Sequence, residues 1–109
     1  MVHVRVTRSS DGCLSALVMS GHVGAAGGPR GANLTCAAVT GLVRSCAEAI
    51  AAADGIVADG AAAREGELHV TVRAVESGRR DWLRGVTDVL LSGVRRMVAD
   101  MPGEVELEV

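Results

Sequence analysis

A histidine and a cysteine flank one glycine-rich stretch of this sequence. Ser20-Gly21-His22-Val23 closes the segment before it, and Asn33-Leu34-Thr35-Cys36-Ala37-Ala38-Val39-Thr40 opens the segment after it. Those two side chains can share nucleophilic catalysis. A thiolate attacks an acyl carbon, while an imidazole takes up the thiol proton and later delivers it to the leaving group. The pattern places Cys36 in the first turn of a helix capped by Asn33 or Thr35, where unsatisfied amides and the positive end of the helix dipole favour a thiolate. The amides of Cys36 and Ala37 could then also receive an oxyanion. Spacing alone favours the plainer reading, a cysteine and a histidine that are bystanders, as one of each in a short chain usually are.

The other candidates are placed less well for chemistry. Cys46 falls on the apolar stripe of the helix and reads as a small buried hydrophobe. Cys13 begins a strand beside a turn. His3 and His69 occupy the polar faces of alternating strands, and Glu104, Glu106 and Glu108 form a charged strand face rather than an acid–base pair.

Alternation and helical periodicity supply the elements that must hold these residues. Val2-His3-Val4-Arg5-Val6-Thr7-Arg8 alternates with period two, Asp11-Gly12 is turn chemistry, and Cys13 to Ser20 returns as a second strand, so the chain begins as a hairpin. Glycines 24, 27, 28 and 31 with Pro29 make residues 23–32 read as a loop. Composition alone suggests a surface loop; its place beside the candidate pair suggests a lid. From Leu34 the period changes. Val39, Leu42 or Val43, Cys46, Ala49 and Ile50 recur as the stripe of an amphipathic helix that stops at Asp54-Gly55. Ile56 to Ala63 reads as a short strand and Arg64-Glu65-Gly66 as a turn. Leu68, Val70, Val72 and Ala74 then alternate with His69, Thr71 and Arg73. A second helix starts near Ser77-Gly78, carries Leu83, Val86, Leu90, Val94, Met97 and Met101 on one stripe, and ends at Pro102-Gly103. Val105, Leu107 and Val109 form a last strand whose acidic outer face discourages edge pairing. The order β-β-α-β-β-α-β predicts an α+β fold: one two-layer domain over residues 1–109, with two helices on one face of a mixed or antiparallel sheet.

Composition narrows the function classes. With 109 residues the chain has room for one core. Trp82 is its one aromatic residue and the net charge is −2, which argues against nucleic-acid binding through a basic face or stacking platform. All 11 basic residues are arginines, a compositional bias. Three cysteines without Cys-x-x-Cys spacing fit a reduced, cytoplasmic protein with no disulfide framework, zinc site or cofactor. Val2 to Arg8 already alternates as a strand, so no signal peptide is expected, and the alanine runs are expected to fall well short of a membrane span.

The hairpin, Ser20-Gly21-His22, the glycine loop and Leu34-Thr35-Cys36-Ala37-Ala38-Val39-Thr40 together resemble the ribosomal-processing cysteine proteases called Prp. The pattern there is Gly-His-Ala, a flexible loop, then Gly-x-Asp-Ile-Val-Cys-Ala-Ala-Val-Ser. The likeness continues through the Gly66-Glu67-Leu68 strand and the second helix to Met101-Pro102, where the family often has Tyr-Pro. The resemblance implies a cytoplasmic endopeptidase, commonly homodimeric. It would remove a short N-terminal extension from a large-subunit ribosomal protein before ribosome assembly, with His22 and Cys36 as the catalytic pair. Val23 replaces an alanine, the loop is longer around Gly27-Gly28-Pro29, and Asn33 stands where the family has aspartate. An asparagine can accept the imidazole N–H or cap a helix, but it brings no negative charge to an imidazolium. A weak or inactive homologue acting as a ribosome-assembly or binding factor is therefore the alternative. An unrelated intracellular α+β domain with inert thiols is a third reading.

Overall fold

The observed elements follow the expected order. The computed structural model describes residues 1–21, 30–61 and 67–109, and for residues 30–33 it describes the backbone. The strands are β1 (Val2–Arg8), β2 (Leu14–Ser20), β3 (Ile56–Ala61), β4 (Leu68–Val75) and β5 (Val105–Glu108). The helices are α1 (Arg30–Ala52) and α2 (Arg80–Asp100), the latter entered through a 3-10 turn at Ser77–Arg79. The sheet order is β3-β4-β2-β1-β5. Its pairs are antiparallel except β1–β5, which is parallel and sets Val2 beside Val105 and Val4 beside Leu107.

Alternation in the strands decides which face is covered. Val2, Val4 and Val6 of β1, Leu17 and Met19 of β2, and Leu68 and Val70 of β4 are buried, while His3, Arg5, Val18 and His69 point to the opposite face. Both helices lie against the aliphatic face. α1 contributes Val39, Val43, Cys46, Ala47 and Ile50, and α2 contributes Leu83, Leu90, Leu91 and Val94. Burying each large aliphatic side chain stabilises the fold by roughly 1.5–3 kcal/mol. Where the helices meet, Gly93 of α2 lets Leu42 of α1 approach; a β-carbon there would sit 2.5 Å from Leu42 Cδ2. Thr87, fully buried on α2, donates to Leu83 O at 2.7 Å and accepts Leu14 N at 3.0 Å, fastening the start of β2 to the helix.

Several expectations are corrected. α1 begins at Arg30, so residues 30–32 belong to the helix rather than the loop, and Asn33 and Thr35 lie inside it rather than capping it. The start signal in the sequence is Pro29, a residue favoured where helices begin, which the surrounding glycines obscured. The rest of the expected lid, residues 23–29, lies outside the described residues, as does the Arg64-Glu65-Gly66 turn; β3 ends at Ala61. On α1, Ala47 is buried and Ala49 exposed; on α2, Thr87 and Leu91 join the stripe while Val86 and Met97 are half-buried. By length and composition Leu34–Ala52 is apolar enough to cross a membrane, contrary to expectation. Its apolar stripe packs on the sheet, and a core helix passes the same test.

Candidate active site

Cys36 lies on α1 in the second turn, one step beyond the first turn where helix amides lack partners. The expected oxyanion hole from the amides of Cys36 and Ala37 is therefore corrected: at these positions the N–H groups belong to the helical ladder. The helix dipole also falls off beyond the first turn, which leaves more of any thiol activation to a neighbouring base. The thiol is half-buried, and its Sγ is 4.0 Å from Thr40 Oγ1, one turn further along. Leu34, Ala37 and Ala38 are exposed beside it.

The other two cysteines are sealed. Cys13 is buried, and its Sγ contacts Arg80 O at 3.2 Å; burial and then the neighbouring Asp11 push its thiol pKa up. Cys46 is buried on the α1 stripe, and burial raises its pKa as well. An electrically neutral, inaccessible thiol is a poor nucleophile, and among the described residues Cys36 is the one thiol left accessible. The described residues include no group of three or more His, Cys, Asp or Glu side chains able to hold a metal.

His22 lies outside the described residues, as does the Asn33 side chain, so the structure describes neither side chain's relation to Cys36. What it does describe is the point from which His22 departs. Gly21 follows β2 with φ +88°, a left-handed conformation that favours glycine, and a β-carbon there would meet Met1 O at 2.3 Å. Glycine before the histidine is thus required by backbone geometry.

The three glutamates expected to form one charged face do not act together. Glu106 pairs with His3 Nδ1 at 3.2 Å and Glu108 with Arg5 across the parallel β1–β5 ladder, on the open face of the sheet. Glu104 precedes β5 and instead accepts Thr35 Oγ1 at 2.7 Å, next to Cys36. Thr35 is buried and also approaches Met101 Sδ at 3.0 Å. Local spacing carries no signal for this contact, because its partners stand 69 residues apart in the chain. A shallow depression on the open face, lined by His3, Arg5, Val18, Ser20 and Glu106, does not include Cys36.

A two-layer α+β fold with one accessible thiol on its first helix is consistent with a small thiol hydrolase, and residues 1–106 match a family model of that kind, described as cysteine protease Prp. The chain belongs to that family. The fold agrees. A crystal structure of the essential ribosomal processing protease Prp from S. aureus with a substrate peptide superposes with a TM-score of 0.76 at 16% identity, covering 99% of this chain and 98% of that one. The same protease with a covalently linked product peptide gives a TM-score of 0.74 at 16% identity, with the same coverage. SMU.848 from Streptococcus mutans gives 0.76 at 20% identity, covering 99% of this chain and 92% of that one. Comparison with curated proteins found no match.

Proposed function

We propose that this chain is a cysteine endopeptidase that removes a short N-terminal extension from a large-subunit ribosomal protein, with Cys36 as nucleophile and His22 as its proton partner. The observation that carries this reading is that the accessible thiol of a Prp-family chain is the one that directly precedes Ala37-Ala38-Val39. In the reaction, Cys36 gives its proton to His22 and Sγ attacks the scissile carbonyl carbon. The C–N bond breaks as His22 protonates the leaving amine, and water then hydrolyses the thioester to free the thiol. The ribosomal substrate is supported by the S. aureus relative, whose crystal structures are described as those of a ribosomal processing protease with bound peptides. A cytoplasmic homodimer is proposed with it.

Asn33 favours a second reading, an assembly or binding factor with weak turnover, because the amide brings no charge to an imidazolium. Incubation with the organism's own extended ribosomal protein, read by mass spectrometry, separates the two. Wild type is expected to remove the extension, and Cys36→Ala and His22→Ala to lose that activity. Asn33→Asp is expected to raise the rate if the side chain orients His22, and to leave it nearly unchanged otherwise. Binding without cleavage by wild type, with cleavage restored in Asn33→Asp, selects the binding factor.

A further inference from the structure

The Glu104 carboxylate is joined to the threonine beside the accessible thiol, and its main chain is joined to the start of β1, which pairs with the end of β2 that leads to His22. The side-chain half rests on Thr35, buried on α1 directly before Cys36. A hydroxyl has one proton to donate. Of the two acceptors among the described residues, the carboxylate oxygen Glu104 Oε2 lies at 2.7 Å, whereas Met101 Sδ at 3.0 Å is a weak acceptor. Of these two the carboxylate is the better acceptor for the proton, and the methionine sulfur packs against the pair.

The main-chain half rests on the turn that ends α2. Met101 N donates to Met97 O, and Glu104 N donates to Met101 O at 3.1 Å. Gly103 takes φ +83° between them. This closed turn fixes where Glu104 stands before β5. Glu104 O then accepts Val2 N at 2.9 Å, in line with the parallel pairing of Val2 and Val105. Met1, directly before Val2, is the residue whose carbonyl fills the space a side chain at Gly21 would need. One residue thus ties α1 near its thiol to the start of β1, beside the β2 end that leads to His22.

We propose that Glu104 is a positioning residue for Cys36, acting through Thr35 to hold the second turn of α1 in register with the Gly21 end of the sheet. This proposal rests on the protease reading only for its catalytic consequence. A reacting group displaced by about 1 Å can lose on the order of a hundredfold in rate. A latch of this kind acts on the chemical step and leaves substrate affinity largely alone.

The test is a double-mutant cycle on cleavage of the extended ribosomal protein. Glu104→Ala and Thr35→Val are each expected to lower kcat by about tenfold or more, with KM within about twofold. The double variant is expected to be no slower than the slower single, since both remove one contact. Glu104→Gln, whose amide oxygen can accept the same bond, should restore most of the rate. Amide exchange over Leu34 to Val39 should quicken in both singles without adding in the double. An unchanged kcat in Glu104→Ala, or single effects that multiply in the double, overturns the proposal. If Glu104→Ala melts below assay temperature, Thr35→Val and Glu104→Gln decide it on the same criteria. If wild type cleaves nothing, the protease reading falls by itself. The latch is then judged by exchange alone, and unchanged protection in Glu104→Ala rejects it.

Discussion

Burial separates the three thiols before any catalytic partner is considered. Cys13 sits under the hairpin turn against Arg80 O and Cys46 under α1, both with raised thiol pKa values, whereas Cys36 keeps part of its surface in solvent. Brief treatment of the native protein with iodoacetamide at neutral pH should therefore label Cys36 at least about tenfold faster than either other thiol, since reactivity follows thiolate fraction and access. Peptide mapping reads the result, and equal labelling of all three would count against it. A second residue-scale expectation concerns Asp11. Its carboxylate accepts hydrogen bonds from Ser9 Oγ, from Arg80 Nη1 at 2.7 Å and from Cys13 N at 3.2 Å, and these hold its pKa well below the usual carboxylate range. A depressed folded-state pKa gives stability that is present above the unfolded value of about 3.9 and is lost as pH falls below it. Melting curves should show Asp11→Asn less stable than wild type at pH 7, with the two converging in acid. Parallel curves at all pH values would contradict this.

At the scale of elements, the strands were the most legible part of the sequence, because a two-residue period survives any detail of packing. Val2, Val4 and Val6 could only form one buried face, and they do. The start of α1 was obscured because Gly31 and the glycines before it read as loop, although Pro29 marked a helix start. That shift of a few residues matters for chemistry. It moves Cys36 and Ala37 out of the first turn and removes the oxyanion hole drawn from their amides. Gly21 illustrates the opposite case, a motif residue whose reason becomes visible only in three dimensions. Replacing it with alanine should destabilise the fold by roughly 1–3 kcal/mol from the left-handed backbone alone. The contact with Met1 O adds to this, and the rate should fall further than stability explains, because His22 follows directly. A Gly21→Ala protein with wild-type melting temperature and cleavage rate would show that this backbone geometry is not needed.

For the whole molecule, element order and sheet class followed from periodicity alone, and the Prp family from the His22 and Cys36 motifs. What the sequence hid was long-range: the division of Glu104 from Glu106 and Glu108, and the Thr35–Glu104 contact between the start of α1 and the start of β5. Residues so far apart along the chain share no local pattern. The parallel β1–β5 pairing places His3 and Arg5 beside Glu106 and Glu108, and the packing of α1 against α2 near the start of β5 brings Thr35 to Glu104. The central claim is that Cys36 is the attacking group, and trapping the covalent intermediate tests it most directly. The protein is mixed with the extended ribosomal protein, quenched in acid within the first turnover, and digested for peptide mass mapping. The expected result is the N-terminal extension carried as a thioester on the peptide containing Cys36, and no such adduct in Cys36→Ala. An adduct on any other residue, or cleavage that persists in Cys36→Ala, would contradict it.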